Sequence, residues 1–221
     1  MDQADPTIRV TIIDTETTGI SRDDEVIEVG LVQLEVSSSS GQVLNISEQY
    51  SGLREPNCPM HPAAAQTHGI SLTELRGKQL DENRIVTLIE ASEVLIAHNA
   101  GFDRSMLKRT LPQAAHGRWL CSVRGIKWRA KGFASARLDH LLGVHRISRA
   151  RSHRALDDAL ALGTLLSHHD QVTGRPYMSE LLASTPLRGQ SKPRSKTPMA
   201  GSPMLIELKR RLKAEASTPS Q

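Results

Sequence analysis

The sequence contains only two cysteines among its 221 residues, Cys58 and Cys121. They stand alone, without a C-x-x-C pair or the regular spacing of a disulfide framework. We therefore expect reduced thiols in a cytoplasmic protein, and neither a structural zinc site nor a disulfide scaffold.

Long hydrophobic runs are also missing. No stretch of about 18 apolar residues is present, so the sequence predicts no membrane span. The opening segment MDQADPTIRV lacks the basic stretch and apolar run of a secretory signal. With 38% hydrophobic and 24% charged residues, the composition is typical of a soluble globular protein. The length allows one mid-sized domain and a tail.

Acidic residues are absent from positions 104–138, where basic residues alternate with Trp119, Trp128 and Phe133. The basic residues of this region are Arg104, Lys108, Arg109, Arg118, Arg124, Lys127, Arg129, Lys131 and Arg137. Such a region indicates a wall that follows the phosphates of a nucleic acid, with Arg124 and Lys127 as candidate substrate contacts. The alternative is a solvated basic surface whose aromatic side chains pack in the core, which we favour for Trp119.

The end of the chain differs in character from the rest. We expect a globular domain over residues 1–180, a flexible basic linker over 181–203 and a short basic helix or tail over 204–221. From Thr185 onward, eight Lys and Arg stand against two Glu, which leaves the preceding residues slightly acidic within a total charge of +4. A basic tail suits a polyanion or a partner protein, and a solvated tail without a partner is the alternative.

Hydrophobic periodicity predicts the order of elements. Strands are predicted at Thr7–Ile13, Glu25–Val36, 42–50 and Glu93–His98. Helical segments are predicted after the N-cap residues Ser71 and Asp81, from Gly101, near Leu138–Leu142 and from His153 to about Leu166. Strands first and strand–helix alternation later predict an α/β fold, with a central mixed sheet of about five strands flanked by helices.

Two carboxylates follow the first predicted strand, in the segment DTETTG. Asp14 and Glu16 are two residues apart, so in an extended chain they point to the same side. Hard oxygen ligands aimed at one point favour Mg²⁺ or Mn²⁺. A solvated turn is the alternative for this motif taken alone.

Two later motifs also carry acidic residues. Asp103 ends the segment HNAGFD, where an acid at a helix start would be favoured by the helix dipole alone. Asp158 lies five residues after His153 in SHRALDDAL, where a surface histidine and an acid paired with Arg154 are the alternative. Taken together, four carboxylates at the ends of elements, with an imidazole beside the last, favour convergence on one pair of metal ions.

In their order, DTETTG, HNAGFD and HRALDDA resemble the motifs of the DEDDh exonucleases, the family of polymerase proofreading subunits and their DnaQ-like relatives. The resemblance covers roughly Thr7 to Leu166 and extends to the segments DEVIEVG and THGIS. It implies a ribonuclease H-like fold. Arg154 stands where a tyrosine would indicate the sister subgroup. The residues that the resemblance implies are the metal ligands Asp14, Glu16, Asp103 and Asp158, the general base His153, and the nucleotide-pocket residues Thr17, Thr18, His68 and Ile70.

The activity implied by this resemblance is 3′→5′ exonuclease activity that releases nucleoside 5′-monophosphates. Two Mg²⁺ or Mn²⁺ ions about 4 Å apart would activate water and neutralise the phosphate, and a histidine would accept the proton near neutral pH. We expect a single-stranded or frayed 3′ end as substrate, with DNA favoured over RNA, and a polymerase or other partner at the tail. One alternative is a non-catalytic nucleic-acid-binding or polymerase-associated module on the same fold. Another is a phosphotransferase with an acidic nucleophile.

Overall fold

The computed structural model describes residues 5–188, and its centre is a five-stranded mixed sheet. The strands are β1 (Thr7–Thr17), β2 (Val26–Ser37), β3 (Val43–Leu53), β4 (Val94–Ala97) and β5 (Trp119–Cys121). Their order in the sheet is β3-β2-β1-β4-β5. The first three strands are antiparallel neighbours, whereas β4 runs parallel to both β1 and β5. This arrangement confirms the predicted mixed sheet.

Helices flank the sheet. They are α1 (Pro62–His68), α2 (Leu72–Leu75), α3 (Glu82–Glu90), α4 (Ala100–Thr110), α5 (Ser122–Gly125), α6 (Leu138–Val144), α7 (Ala155–Ser167) and α8 (Tyr177–Leu182). Short 3₁₀ turns occur at Pro112–Ala115 and Trp128–Lys131. As predicted, Ser71 and Asp81 cap helices, because their side chains accept hydrogen bonds from the N–H groups of Glu74 and Arg84.

The two faces of the sheet bury separate apolar cores. Neighbouring residues of β1 point to opposite faces, so Ile12 packs in the core that contains Leu162 of α7 and Ile13 packs in the core that contains Leu107 of α4. Helix α7 lies close to β1, since a Cβ atom added at Gly163 would lie 3.2 Å from Ile12 Cδ1. Helix α7, which begins within the HRALDDA motif, therefore packs on the strand that carries Asp14 and Glu16.

Strand β1 is longer than its β-branched run predicted. It continues past Ile13 to Thr17 because the pairing with β2 continues, with Asp14 opposite Gly30 and Glu16 opposite Glu28. The two carboxylates thus lie within a paired strand and not in a turn. Strand β5 was not predicted, because three residues are too few to show a period. Its first residue, Trp119, is fully buried, in agreement with the core-packing alternative.

Packing against the sheet continues beyond residue 180, the domain boundary expected from composition. The N–H of Leu187 donates to the carbonyl of Trp119 at 2.9 Å. The part of the predicted linker from residue 189 onward and the predicted helix or tail at 204–221 lie outside the described residues. Within residues 5–188, no helix is long and apolar enough to cross a membrane.

Candidate active site

The carboxyl ends of β1 and β4 lie at the same edge of the sheet because the two strands are parallel. Helix α4 begins three residues after β4 and carries Asp103, buried, in its first turn. Thr15 Oγ donates to Asp103 Oδ1 at 2.9 Å, which ties this carboxylate to β1 between Asp14 and Glu16. The first and second motifs therefore meet at one edge of the sheet.

Helix α7 brings the third motif to the same place. The ligand atoms of Glu16, His153 and Asp158 all lie within 4.8 Å of one another, which makes them a group that could hold a metal ion. Asp158 is buried in the first turn of α7, and His153 lies two residues before the helix begins. His153 has a φ of 57°, a left-handed conformation that residues with a Cβ atom seldom adopt.

The gathered carboxylates disturb one another's ionisation. Burial and the neighbouring charges of Asp103 and Glu16 raise the pKa of Asp14 well above its ordinary value. Burial and Asp158 raise the pKa of Glu16 to about 8. Burial raises the pKa of Asp103 to about 6, against the opposing hydrogen bond from Thr15. Such a site favours a cation, because a positive charge relieves both the burial and the repulsion.

Asp158 has a cationic partner that the motifs did not indicate. Arg149 Nη1 lies 2.6 Å from Asp158 Oδ1, and its Nη2 lies 2.5 Å from Asp139 Oδ1. Burial raises the pKa of Asp158, and the hydrogen bond from Arg149 opposes that shift. The pairing of Asp158 with Arg154, which the sequence left open, does not occur in the structure.

Arg154 pairs instead with Glu28 of β2, at 2.8 Å between Nη2 and Oε1. Glu28 is 1% exposed. Sequence reasoning assigned it no role. A signal was nevertheless present, because an acid between Ile27 and Val29 in a strand buried on both faces requires a partner.

A cavity of about 460 Å³ opens beside Glu16. Thr17, His68 and Phe102 are among the residues that line it. His68 Nδ1 accepts a hydrogen bond from the N–H of Ile70 at 3.0 Å, which fixes the ring, and burial lowers the pKa of this histidine.

The other two residues predicted for the nucleotide pocket lie behind its wall. Thr18 Oγ donates to Asp24 at 2.9 Å. Ile70 is buried with Ile27 and Leu75 in a small apolar cluster. The structure therefore places Thr17 and His68 on the cavity and gives Thr18 and Ile70 supporting positions.

The basic residues predicted to contact substrate follow β5, at the edge of the sheet and two strands from β1. Arg124 lines a different cavity with Cys121 and Ser184. The backbone N–H of Lys127 donates to Glu180. The substrate contacts of Arg124 and Lys127 stay a prediction.

Comparison with known proteins identifies a family. A family model described as "Exonuclease" matches residues 11–166. Exodeoxyribonuclease 10 of Escherichia coli is 28% identical over 199 residues, which cover 81% of this chain and 82% of that protein. A PolC-type DNA polymerase III of Caldanaerobacter subterraneus is 26% identical over 156 residues, 68% of this chain and 11% of the polymerase.

Solved structures share the fold. A structure of exonuclease X in complex with 5′ overhanging duplex DNA has a TM-score of 0.55 and 24% identity, and covers 77% of this chain and 99% of its own. A 3′-exonuclease that recognises the histone mRNA stem-loop has a TM-score of 0.57 and 14% identity, over 76% of this chain and 84% of its own. At these identities the likeness confirms the ribonuclease H-like fold and does not extend to substrate.

Proposed function

The chain belongs to the exonuclease family, and on that premise we propose that it hydrolyses phosphodiester bonds from the 3′ end of DNA and releases nucleoside 5′-monophosphates. The observation that supports this most directly is the meeting of Glu16, His153 and Asp158 within 4.8 Å. A preference for DNA is supported by the similarity to an exodeoxyribonuclease over most of both chains. We propose a cytoplasmic location.

The family depends on divalent cations, and the donor set here fits them. Four carboxylates supply hard oxygen ligands, and the raised pKa values of Asp14, Glu16 and Asp103 reflect a surplus of negative charge in a buried place. We propose that Asp14, Glu16, Asp103 and Asp158 hold two Mg²⁺ or Mn²⁺ ions. Such ions, when bound, would acidify water and neutralise a phosphate.

Each remaining part of the reaction falls to a residue of the chain. His153, beside Glu16 and Asp158, would accept the proton of the attacking water. The cavity lined by Thr17 and His68 would hold the terminal nucleoside next to these groups. A cavity of this size beside the carboxylates admits the end of a strand and favours removal of one nucleotide at a time.

The basic regions would serve the rest of the strand or a partner. Arg124 and Lys127 would contact phosphates further from the end. The basic residues after Thr185 would bind a polymerase or another protein. The similarity to a segment of a PolC-type polymerase supports a polymerase as the partner.

The test is a degradation ladder on 5′-labelled single-stranded DNA and RNA of matched sequence, with Mg²⁺, Mn²⁺ or EDTA. We expect stepwise shortening from the 3′ end that requires a metal ion, runs faster on DNA and disappears in Asp14→Ala. Asp23→Ala, which removes an exposed acid nearby, is the matched control and should retain full activity. If neither strand is shortened while binding persists in EDTA, the protein is the non-catalytic nucleic-acid-binding module instead.

A further inference from the structure

The ion pair of buried Glu28 and half-buried Arg154, between β2 and the start of α7, lies outside the four-carboxylate site. We infer that Glu28 and Arg154 are positioning residues, which hold His153 in the orientation that its role as general base requires. The inference rests on the proposed function, in which His153 accepts a proton. It adds two residues that act on the reaction through His153, without themselves touching the metal ions or the substrate.

The carboxylate of Glu28 accepts hydrogen bonds from two successive residues, Arg154 and Ala155. Its two carboxylate oxygens accept from Arg154 Nε at 3.0 and 3.1 Å, and Oε1 also accepts from Arg154 Nη2 at 2.8 Å. Oε2 accepts a further hydrogen bond from the backbone N–H of Ala155 at 3.0 Å. Side-chain and backbone groups of two successive residues are thus held by one carboxylate, and charge-assisted forked pairs of this kind fix geometry as well as position.

His153 directly precedes Arg154 and Ala155, the two residues that bind Glu28. Its φ of 57° is unfavourable for a side chain with a Cβ atom, so the conformation persists only where the neighbouring residues hold it. Arg154 follows in an extended conformation, and Ala155 begins the helix. Because the residues on the C-terminal side of His153 are tied to Glu28, the imidazole is directed toward Glu16 and Asp158.

A glycine on the same strand brings the helix close. A Cβ atom added at Gly30 would lie 2.2 to 2.4 Å from backbone atoms of Ala155 and Leu156. Gly30 is also the β2 partner of Asp14, and Glu28 is the partner of Glu16. Two positions of β2 therefore set the first turn of α7 against the strand that carries the predicted ligands.

Arg154 makes a second, more exposed contact on α2. Arg154 Nη2 lies 3.5 Å from Glu74 Oε1 on α2, which follows the helix that carries His68. Glu74 is 39% exposed, so this contact is weaker than the one to Glu28. The guanidinium therefore contacts two elements besides its own, β2 and α2.

A purely structural role predicts a different outcome from a positioning role, and two variants separate them. Glu28→Gln combined with Arg154→Met removes both charges and keeps an acceptor for the N–H of Ala155. A neutral replacement of a whole buried ion pair often preserves stability. Arg154→Lys keeps the positive charge but cannot bind both carboxylate oxygens of Glu28 as the guanidinium does. It is the variant to use if the double variant folds poorly. The matched control is Arg54→Met, which breaks the 2.6 Å pair with Glu25 just before β2.

We expect the double variant to keep its melting temperature within a few degrees of the wild type while kcat falls about 10- to 100-fold, the scale of a misplaced catalytic group. KM should change by less than about threefold, because the cavity is untouched. Arg154→Lys should lose kcat several-fold, and Arg54→Met should lose none. An unchanged kcat in the double variant, or a fall in kcat matched by the control, overturns the inference.

A second readout does not depend on activity. NMR relaxation of the His153 ring in the metal-free protein should report a restricted imidazole in the wild type and in Arg54→Met, and a mobile one in the double variant. Equal restriction in all three overturns the positioning role. If the wild type degrades no strand, the proposed function fails, and the ring measurement still decides whether Glu28 and Arg154 hold His153.

Discussion

Two groups of acidic side chains in this protein differ in how their charge is balanced. At the end of β1, burial and neighbouring carboxylates raise the pKa values of Asp14, Glu16 and Asp103. Near α8, Lys131 Nζ lies 2.8 Å from Asp170 and 2.7 Å from Glu180, and its hydrogen bond lowers the pKa of Asp170.

The difference separates a cluster whose charges are paired from one whose charges repel each other. Asp170 is buried as Asp103 is, yet it has a lysine and the N–H of Val172 as partners, and its contacts close a loop. The group at β1 collects negative charge that Arg149 offsets at Asp158. Carboxylates that repel one another lower the stability of the metal-free protein, and a bound cation would relieve that repulsion, as expected of the proposed metal site.

The largest effect is expected at a predicted ligand. Asp103→Asn should lower kcat at least about 1000-fold, close to 4 kcal/mol of transition-state stabilisation. It should leave the melting temperature of the metal-free protein equal or higher, because one of the opposing charges is gone. Steady-state kinetics and thermal unfolding in EDTA measure both. A large drop in melting temperature would instead make Asp103 a structural residue like Asp170.

The matching change in the balanced cluster should do the reverse. Asp170→Asn weakens the bond to Lys131 and should lower the free energy of unfolding by about 1–2 kcal/mol, the usual cost of a lost charged hydrogen bond. Exonuclease activity should stay within about twofold of the wild type when assayed below the melting transition. Denaturant titration supplies the stability, and a loss of activity without a loss of stability would contradict the contrast.

The two clusters should also respond oppositely to pH. The pKa of Asp170 is lowered, so its contribution to stability is lost as pH falls. The pKa of Glu16 is raised from 4.5 to about 8 on folding, so between those values the folded protein binds more protons than the unfolded chain. The free energy of unfolding of the metal-free protein should therefore fall as pH rises through this window. Glu16→Gln should flatten that fall, and urea titrations from pH 5 to 8 measure it.

Metal binding should show the opposite trend in the same window. Cation ligands must be deprotonated, so the rise in melting temperature caused by Mn²⁺ should be greater at pH 8 than at pH 6. An equal rise at both values would mean that Mn²⁺ binds away from Glu16.

The smallest effect is expected in the basic region after β5. Changing both Arg124 and Lys127 to Glu should raise KM several-fold and make its dependence on salt less steep, while kcat stays unchanged. Arg9→Glu, at the other end of β1, is the control. An unchanged KM would remove the two residues from the substrate path and leave them as solvated surface.

Local sequence patterns predicted much of the fold, because many strands and helix starts depend on only a few neighbouring residues. The β-branched run before Asp14 and the capping side chains of Ser71 and Asp81 each act within a few residues. The limits of β1 and the three-residue β5 were missed, because both depend on pairing with distant strands.

The sequence by itself determined the family and the set of candidate residues, since three motifs in order carry that information. Tertiary structure alone decided which charges meet. Arg154 contacts Glu28 across 126 positions, and Asp158 contacts Arg149. The pairing of Arg154 with Glu28 follows from the placement of α7 on β2, which the close approach at Gly30 permits. Local sequence patterns cannot predict that placement, because the two partners are far apart in the chain and meet only when the helix packs on the sheet.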